Sequence, residues 1–107
     1  MSYLIVKDDN ERVCTSILDS YQINERGKNI VLILKAKDFS VSYELCPDKR
    51  FETSNSIREY LEKILKKVID LGYILKVSEY LARWYVYIGY ETDDERERRQ
   101  FSVLKNI

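Results

Sequence analysis

The chain has 107 residues, of which 45% are hydrophobic, enough for the core of one small domain and too few for two. Its 18 basic and 18 acidic residues cancel, which excludes a general pull toward nucleic acid or anionic membrane and leaves recognition to local patches. There is no histidine, so the commonest general base and the commonest metal ligand are both missing.

In chain order, Tyr3 to Lys7 reads as a first strand, followed by the polar turn Asp8-Asp9-Asn10-Glu11. Arg12 to Ile23 fits two patterns. Val13, Ile17 and Tyr21 can share a helical face, yet the same stretch alternates as a strand would. Thr15, Ser16, Asp19 and Ser20 are poor helix-interior residues, and a polar turn before the run suits a hairpin, so strand is the preferred reading. Asn24 to Lys28 is a turn with Gly27 available for positive φ. The β-branched run Ile30-Val31-Leu32-Ile33-Leu34 predicts a central strand covered on both faces at its middle. Phe39 to Cys46 alternates, with Phe39, Val41, Tyr43 and Leu45 inward, and Pro47 stops it.

Ser56 to Leu71 predicts an amphipathic helix. Ile57, Tyr60, Leu61, Ile64, Leu65, Val68 and Leu71 form its apolar stripe, Ser56 and Glu59 match a capping box, and Gly72 is placed to close it. Tyr73 to Glu79 reads as a strand. After the turn at Tyr80-Leu81-Ala82, Arg83 to Tyr90 is a strand that is bulky on both faces. Trp84, Val86, Ile88 and Tyr90 would point one way, and Arg83, Tyr85, Tyr87 and Gly89 the other. The charged segment 91–107 predicts a short helix from about Asp93, anchored by Phe101, Leu104 and Ile107.

The fold expected is a single α+β domain over residues 1–107, an antiparallel sheet in the order β-β-β-β-α-β-β with one main helix packed on it. The alternative, with residues 12–21 helical, is a ferredoxin-like β-α-β-β-α-β plus one strand. Cys14 and Cys46 lie far apart with no CxxC spacing and read as reduced, buried small hydrophobes. No apolar run approaches the roughly 20 residues of a membrane span, and the first residues lack a basic n-region, so no membrane partner and a cytoplasmic location are expected.

Candidate chemistry is sparse. The helix cations Arg58, Lys63, Lys66 and Lys67 interleave with Glu59 and Glu62, as on a solvated helix face. The acidic pairs and triplets lack calcium-loop spacing, and the three glycines are too scattered for a phosphate loop. No catalytic residue, cofactor or metal site is implied. What remains is Arg83, Tyr85 and Tyr87, with Tyr80 beside them: rigid amphipathic rings flanked by charge, the residue types of contact surfaces. Such rings can also stack single-stranded bases, but the neighbouring strand offers Lys76 opposed by Glu79 instead of a basic groove, so nucleic acid is not the expected partner.

The stretch Phe39-Ser40-Val41-Ser42-Tyr43-Glu44-Leu45, followed by Ser56-Ile57-Arg58-Glu59-Tyr60-Leu61, resembles small bacterial immunity proteins of polymorphic toxin systems. The resemblance implies a non-enzymatic cytoplasmic inhibitor that masks a toxin. Viral inhibitors of host defence proteins share the same small, charge-rich profile. The expected function is therefore occlusion of a protein partner, a toxin or a defence component. A small nucleic-acid-binding module and a homodimeric structural subunit are the alternatives.

Overall fold

The computed structural model describes residues 1–47, 53–80, 85–91 and the backbone of 99–104. Seven strands form one sheet in the spatial order β4-β3-β2-β1-β5-β6-β7, with a helix packed on it. The strands are β1 (Tyr3–Lys7), β2 (Val13–Arg26), β3 (Asn29–Ala36), β4 (Ser40–Leu45), β5 (Ile74–Tyr80), β6 (Tyr85–Glu91) and β7 (Arg99–Leu104), and α1 spans Ser54–Leu71. The α+β arrangement expected from the sequence is present, and β7 follows it.

Residues 13–26 are a strand, which removes the ferredoxin-like alternative. The reason is long-range. The first half of β2 pairs with β1, from Val13 opposite Lys7 to Ile17 opposite Tyr3, and the second half pairs with β3. A register shift between Leu18 and Ser20 separates the halves and lets one strand bend to serve two partners. Gly27 (φ 60) is the first central residue of the two-residue turn between Arg26 and Asn29, a position where a tight hairpin calls for positive φ. β3 is sealed on the helix side, where Ile30, Leu32 and Leu34 are fully buried, while Val31 and Ile33 on its other side are half-buried.

The sheet is mixed, not purely antiparallel, because β1 and β5 run parallel with Lys7 opposite Ser78. The chain leaves β4 at one edge of the sheet and returns as β5 beyond β1, four strand spacings away, roughly 19 Å. An 18-residue helix is about 27 Å long and can span that distance. α1 accordingly packs across β2, β3, β5 and β6. It arrives at the vacant edge of β1, where β5 pairs.

The helix starts earlier than its capping-box pattern suggests. Thr53, with extended backbone, is the N-cap, and its Oγ1 accepts a hydrogen bond from the Ser56 N–H at 3.2 Å. Thr53-Ser54-Asn55-Ser56 offers four capping residues in a row, and the first takes the role. Gly72 closes the helix in the left-handed region (φ 70, ψ 30). The Tyr73 N–H reaches back to the Val68 carbonyl at 3.0 Å, and Ser2 Oγ donates to the same oxygen at 2.8 Å, tying the helix end to the chain start.

Leu4, Leu18, Leu32, Leu75 and Ile88 of the sheet and Ile57, Leu61, Ile64, Leu65 and Val68 of the helix form one core. Leu71 departs from the expected stripe: as the last helical residue it is 56% exposed. The cysteines also depart from expectation. Both are free thiols, but Cys14 is exposed and Cys46 only half-buried. Cys14 lies on β2 close to the turn that joins it to β1, at the end of the core.

β7 lies where the C-terminal helix was expected. Residues 92–98 and 105–107 fall outside the described residues, but 99–104 are extended and pair antiparallel with β6, from Arg99 opposite Tyr90 to Leu104 opposite Tyr85. A strand here satisfies the outer N–H and C=O groups of β6, which a helix beside that edge would leave unpaired.

Candidate functional site

Alternation along β5 and β6 divides two sets of residues. Val86, Ile88 and Tyr90 are buried beneath α1, whereas Tyr85 (36% exposed) and Tyr87 (43%) stand on the opposite face. Trp84 and Arg83, assigned to these two faces from the sequence, lie outside the described residues. Tyr80 is on the same face as Tyr85, its register partner. Its ring stacks on Tyr85 at 5.4 Å between centroids and on Tyr87 at 5.0 Å, both at 19° between planes. The three rings thus form one continuous aromatic platform, preorganised by strand register and by each other.

No layer covers this face among the described residues. Tyr3, also exposed, lies on it with Ile5, Ile17 and Ile74, all half-buried. Lys76 sits opposite Gly89 in register, and with no side chain at Gly89 it reaches across to Glu91, Nζ to Oε1 2.9 Å. That ion pair lies toward the Ile74–Glu91 end of the β5–β6 pair, away from the platform. The platform lies at the end where β5 meets β6.

Beside the platform is a cleft of about 600 Å³ between the strand ends and the β1–β2 turn. Tyr80 and Tyr87 form one wall and Asp8, Asp9 and Glu11 of the turn the other, with Lys7 and the β5 residues Ser78 and Glu79 completing the described lining. The turn is held by Asp8. Its Oδ1 accepts from the N–H groups of Asn10 and Arg12, each at 2.9 Å, and its Oδ2 receives Arg12 Nε at 3.0 Å. Desolvation pulls the Asp8 carboxyl upward, but the Arg12 and Asn10 amides and the Arg12 guanidinium outweigh it and hold the group below the ordinary aspartate range. Glu11 follows in the left-handed region (φ 61), which turns the chain back into β2. Among the described residues no group of three or more acidic or cysteine side chains is placed to hold a metal ion.

Of the four residues singled out from the sequence, Tyr80, Tyr85 and Tyr87 are brought together, and Arg83 is not described. The acidic turn was missed as part of the site. Asp8 to Glu11 reads as a turn, and only the parallel pairing of β1 with β5 sets it beside Tyr80.

A second aromatic group lies on the helix side. Tyr90 stacks on Tyr73 at 5.5 Å, and Lys67 Nζ sits 5.4 Å over the Tyr90 ring and 3.4 Å from its hydroxyl. Lys67 is thereby engaged within the fold, joining α1 to β6. No described helix is long and apolar enough to cross a membrane. No protein-family model matches the chain, and comparison with curated proteins and with solved structures finds no significant match.

Proposed function

We propose that the protein is a non-catalytic protein-binding module that acts by occlusion, with the uncovered sheet face as its contact surface. The observation that carries this reading is the Tyr80–Tyr85–Tyr87 stack, with Tyr85 and Tyr87 exposed and Tyr80 half-buried, on a face without a covering layer among the described residues. Rings already stacked in place lose little conformational freedom on binding, and tyrosine is among the residues that dominate interface energetics. Within this reading the partner is a toxin or a defence protein, the role implied by the likeness of residues 39–45 and 56–61 to immunity proteins. Base stacking is less well supported, because Lys76 on this face is paired with Glu91 and no basic groove borders the rings among the described residues.

The test is quantitative binding to a partner captured from native lysate and then purified. The Tyr85→Ala, Tyr87→Ala double variant should remain folded by circular dichroism and lose at least ~2 kcal/mol of affinity, about 30-fold, the scale of a hot spot. A folded double variant with unchanged affinity would exclude the platform as the contact surface. Salt-sensitive binding of single-stranded oligonucleotides that depends on both tyrosines would replace the protein-binding reading with a nucleic-acid one.

A further inference from the structure

β4 forms one edge of the sheet, and the hairpin before it fixes which of its backbone groups point outward. The Ala36 N–H donates to the Phe39 carbonyl at 2.9 Å, and the register runs on from Lys35 opposite Ser40 to Ile30 opposite Leu45. Bonded residues alternate in an antiparallel pair. Val41, Tyr43 and Leu45 therefore bond to β3, and Ser40, Ser42 and Glu44 turn their N–H and C=O groups to the open side. Ser40 and Ser42 are exposed, and among the described residues nothing bonds to their outward groups. Sheet edges are ordinarily protected by lysine, proline, a bulge or a covering segment. Between Ser40 and Leu45 there is no lysine, proline or bulge. The one charge, Glu44, is already neutralised: its Oε1 accepts from Arg26 Nη1 at 3.2 Å and its Oε2 from Asn29 Nδ2 at 2.8 Å. The row on the helix side is incompletely covered, since Tyr43 and Leu45 are buried but Phe39 and Val41 only half-buried.

We infer that β4 pairs antiparallel with β4 of a second copy of this chain, about a two-fold axis at Ser42. The strand is complementary to itself in that register. Ser42 meets its own counterpart, and Ser40 meets Glu44, a hydroxyl donor opposite a carboxylate. These are the residues whose outward N–H and C=O groups are free to exchange bonds. Between them, on the helix side, Val41 falls opposite Tyr43 and Phe39 opposite Leu45, apolar against apolar at the closer, non-bonded positions. The half-buried Phe39 and Val41 thereby gain cover. Centring the pair on Glu44 would instead oppose two carboxylates, which disfavours that register. A chain of zero net charge sets no long-range repulsion between copies. A second copy fits this edge better than an arbitrary extended segment because both rows match at once, polar on polar and apolar on apolar, as a two-fold contact requires. β5 and β6 lie four and five strand positions from β4, so the tyrosine stack stays free in each copy and the pair presents two contact surfaces. The pairing does not depend on what the platform binds.

The experiment is sedimentation velocity of the full chain under reducing conditions, from about 5 to 500 µM, with lysine placed at either exposed serine. Wild-type protein should pass reversibly from monomer to dimer across that range. Ser42→Lys brings two ammonium groups together on the axis and should weaken the dimer at least ~10-fold. Ser40→Lys, the same change two residues away, sets its ammonium opposite Glu44 and should leave the dimer unchanged or tighter. Both variants should keep the wild-type circular dichroism spectrum, since neither outward group serves the monomer. Ser42→Pro removes the N–H on the axis without touching a bond to β3, and should be monomeric as well. A wild-type monomer at every concentration would overturn the inference, as would equal effects of the two lysine variants or assemblies that keep growing beyond the dimer. A dimer lost in the Tyr85→Ala, Tyr87→Ala protein and kept in Ser42→Lys would also overturn it, by moving the contact to the platform.

Discussion

Replacing Leu61 by alanine tests whether the helix stripe and the sheet form the core as described. Leu61 is fully buried in the middle of α1. Losing three side-chain carbons forfeits about 2.4 kcal/mol at ~0.8 per carbon group. A residual cavity of roughly 50 Å³ adds about 1.2 kcal/mol at ~24 cal/mol per Å³. The expected loss is therefore about 3–4 kcal/mol, a large share of the roughly 5–15 kcal/mol that stabilises a domain. At about 4 °C per kcal/mol it should lower the melting temperature by about 14 °C. Leu71 provides the control, because Leu71→Ala is the same chemical change on the same helix at a site that is 56% exposed. It should cost no more than about 0.5 kcal/mol. Urea unfolding followed by circular dichroism gives both values, provided the slope with denaturant is unchanged. A loss below about 0.5 kcal/mol for Leu61→Ala, or equal losses for the two variants, would refute this packing.

Two further outcomes concern backbone geometry and charge. Gly72→Ala should cost about 1 kcal/mol through its left-handed φ and not through crowding, since a Cβ there would meet Met1 backbone atoms at an ordinary 3.6 Å; Gly72→Asn should recover part of the loss in the same urea assay. Asp8 is held below its ordinary range when folded, so its contribution to the β1–β2 turn is complete above the unfolded pKa and is lost as pH falls through the lower folded value. The Asn10 and Arg12 amide signals should keep their hydrogen-bonded positions at neutral pH and lose them only in strong acid, and Asp8→Ala should abolish them at every pH.

What was legible in the sequence is what local chemistry decides. The stripe from Ile57 to Val68, the left-handed closure at Gly72, the turn at Gly27 and the division of Tyr85 and Tyr87 from Val86 and Ile88 follow from spacing and from conformations that glycine permits. Thr53 was overlooked because four successive residues can cap a helix and the sequence does not rank them. The strand at 99–104 competes with helical charge spacing, and the open edge of β6 decides the matter, which no local pattern records. The bend in β2 and the parallel β1–β5 pair likewise depend on partners far along the chain. The cleft inherits that difficulty. Glu11 and Tyr80 become neighbours through the register that sets Lys7 beside Ser78, so the platform was visible in the sequence while its acidic companion was not.

The most direct test of the account is photo-crosslinking in native lysate from the tyrosine platform. Tyr87 is replaced by p-benzoylphenylalanine, and the same probe at Glu62, on the exposed outer face of α1, serves as the control. The account predicts a discrete protein adduct from position 87 that excess wild-type protein competes away and that position 62 does not give. Identical adducts from both positions, or none from position 87 while position 62 captures a competable partner, would contradict it.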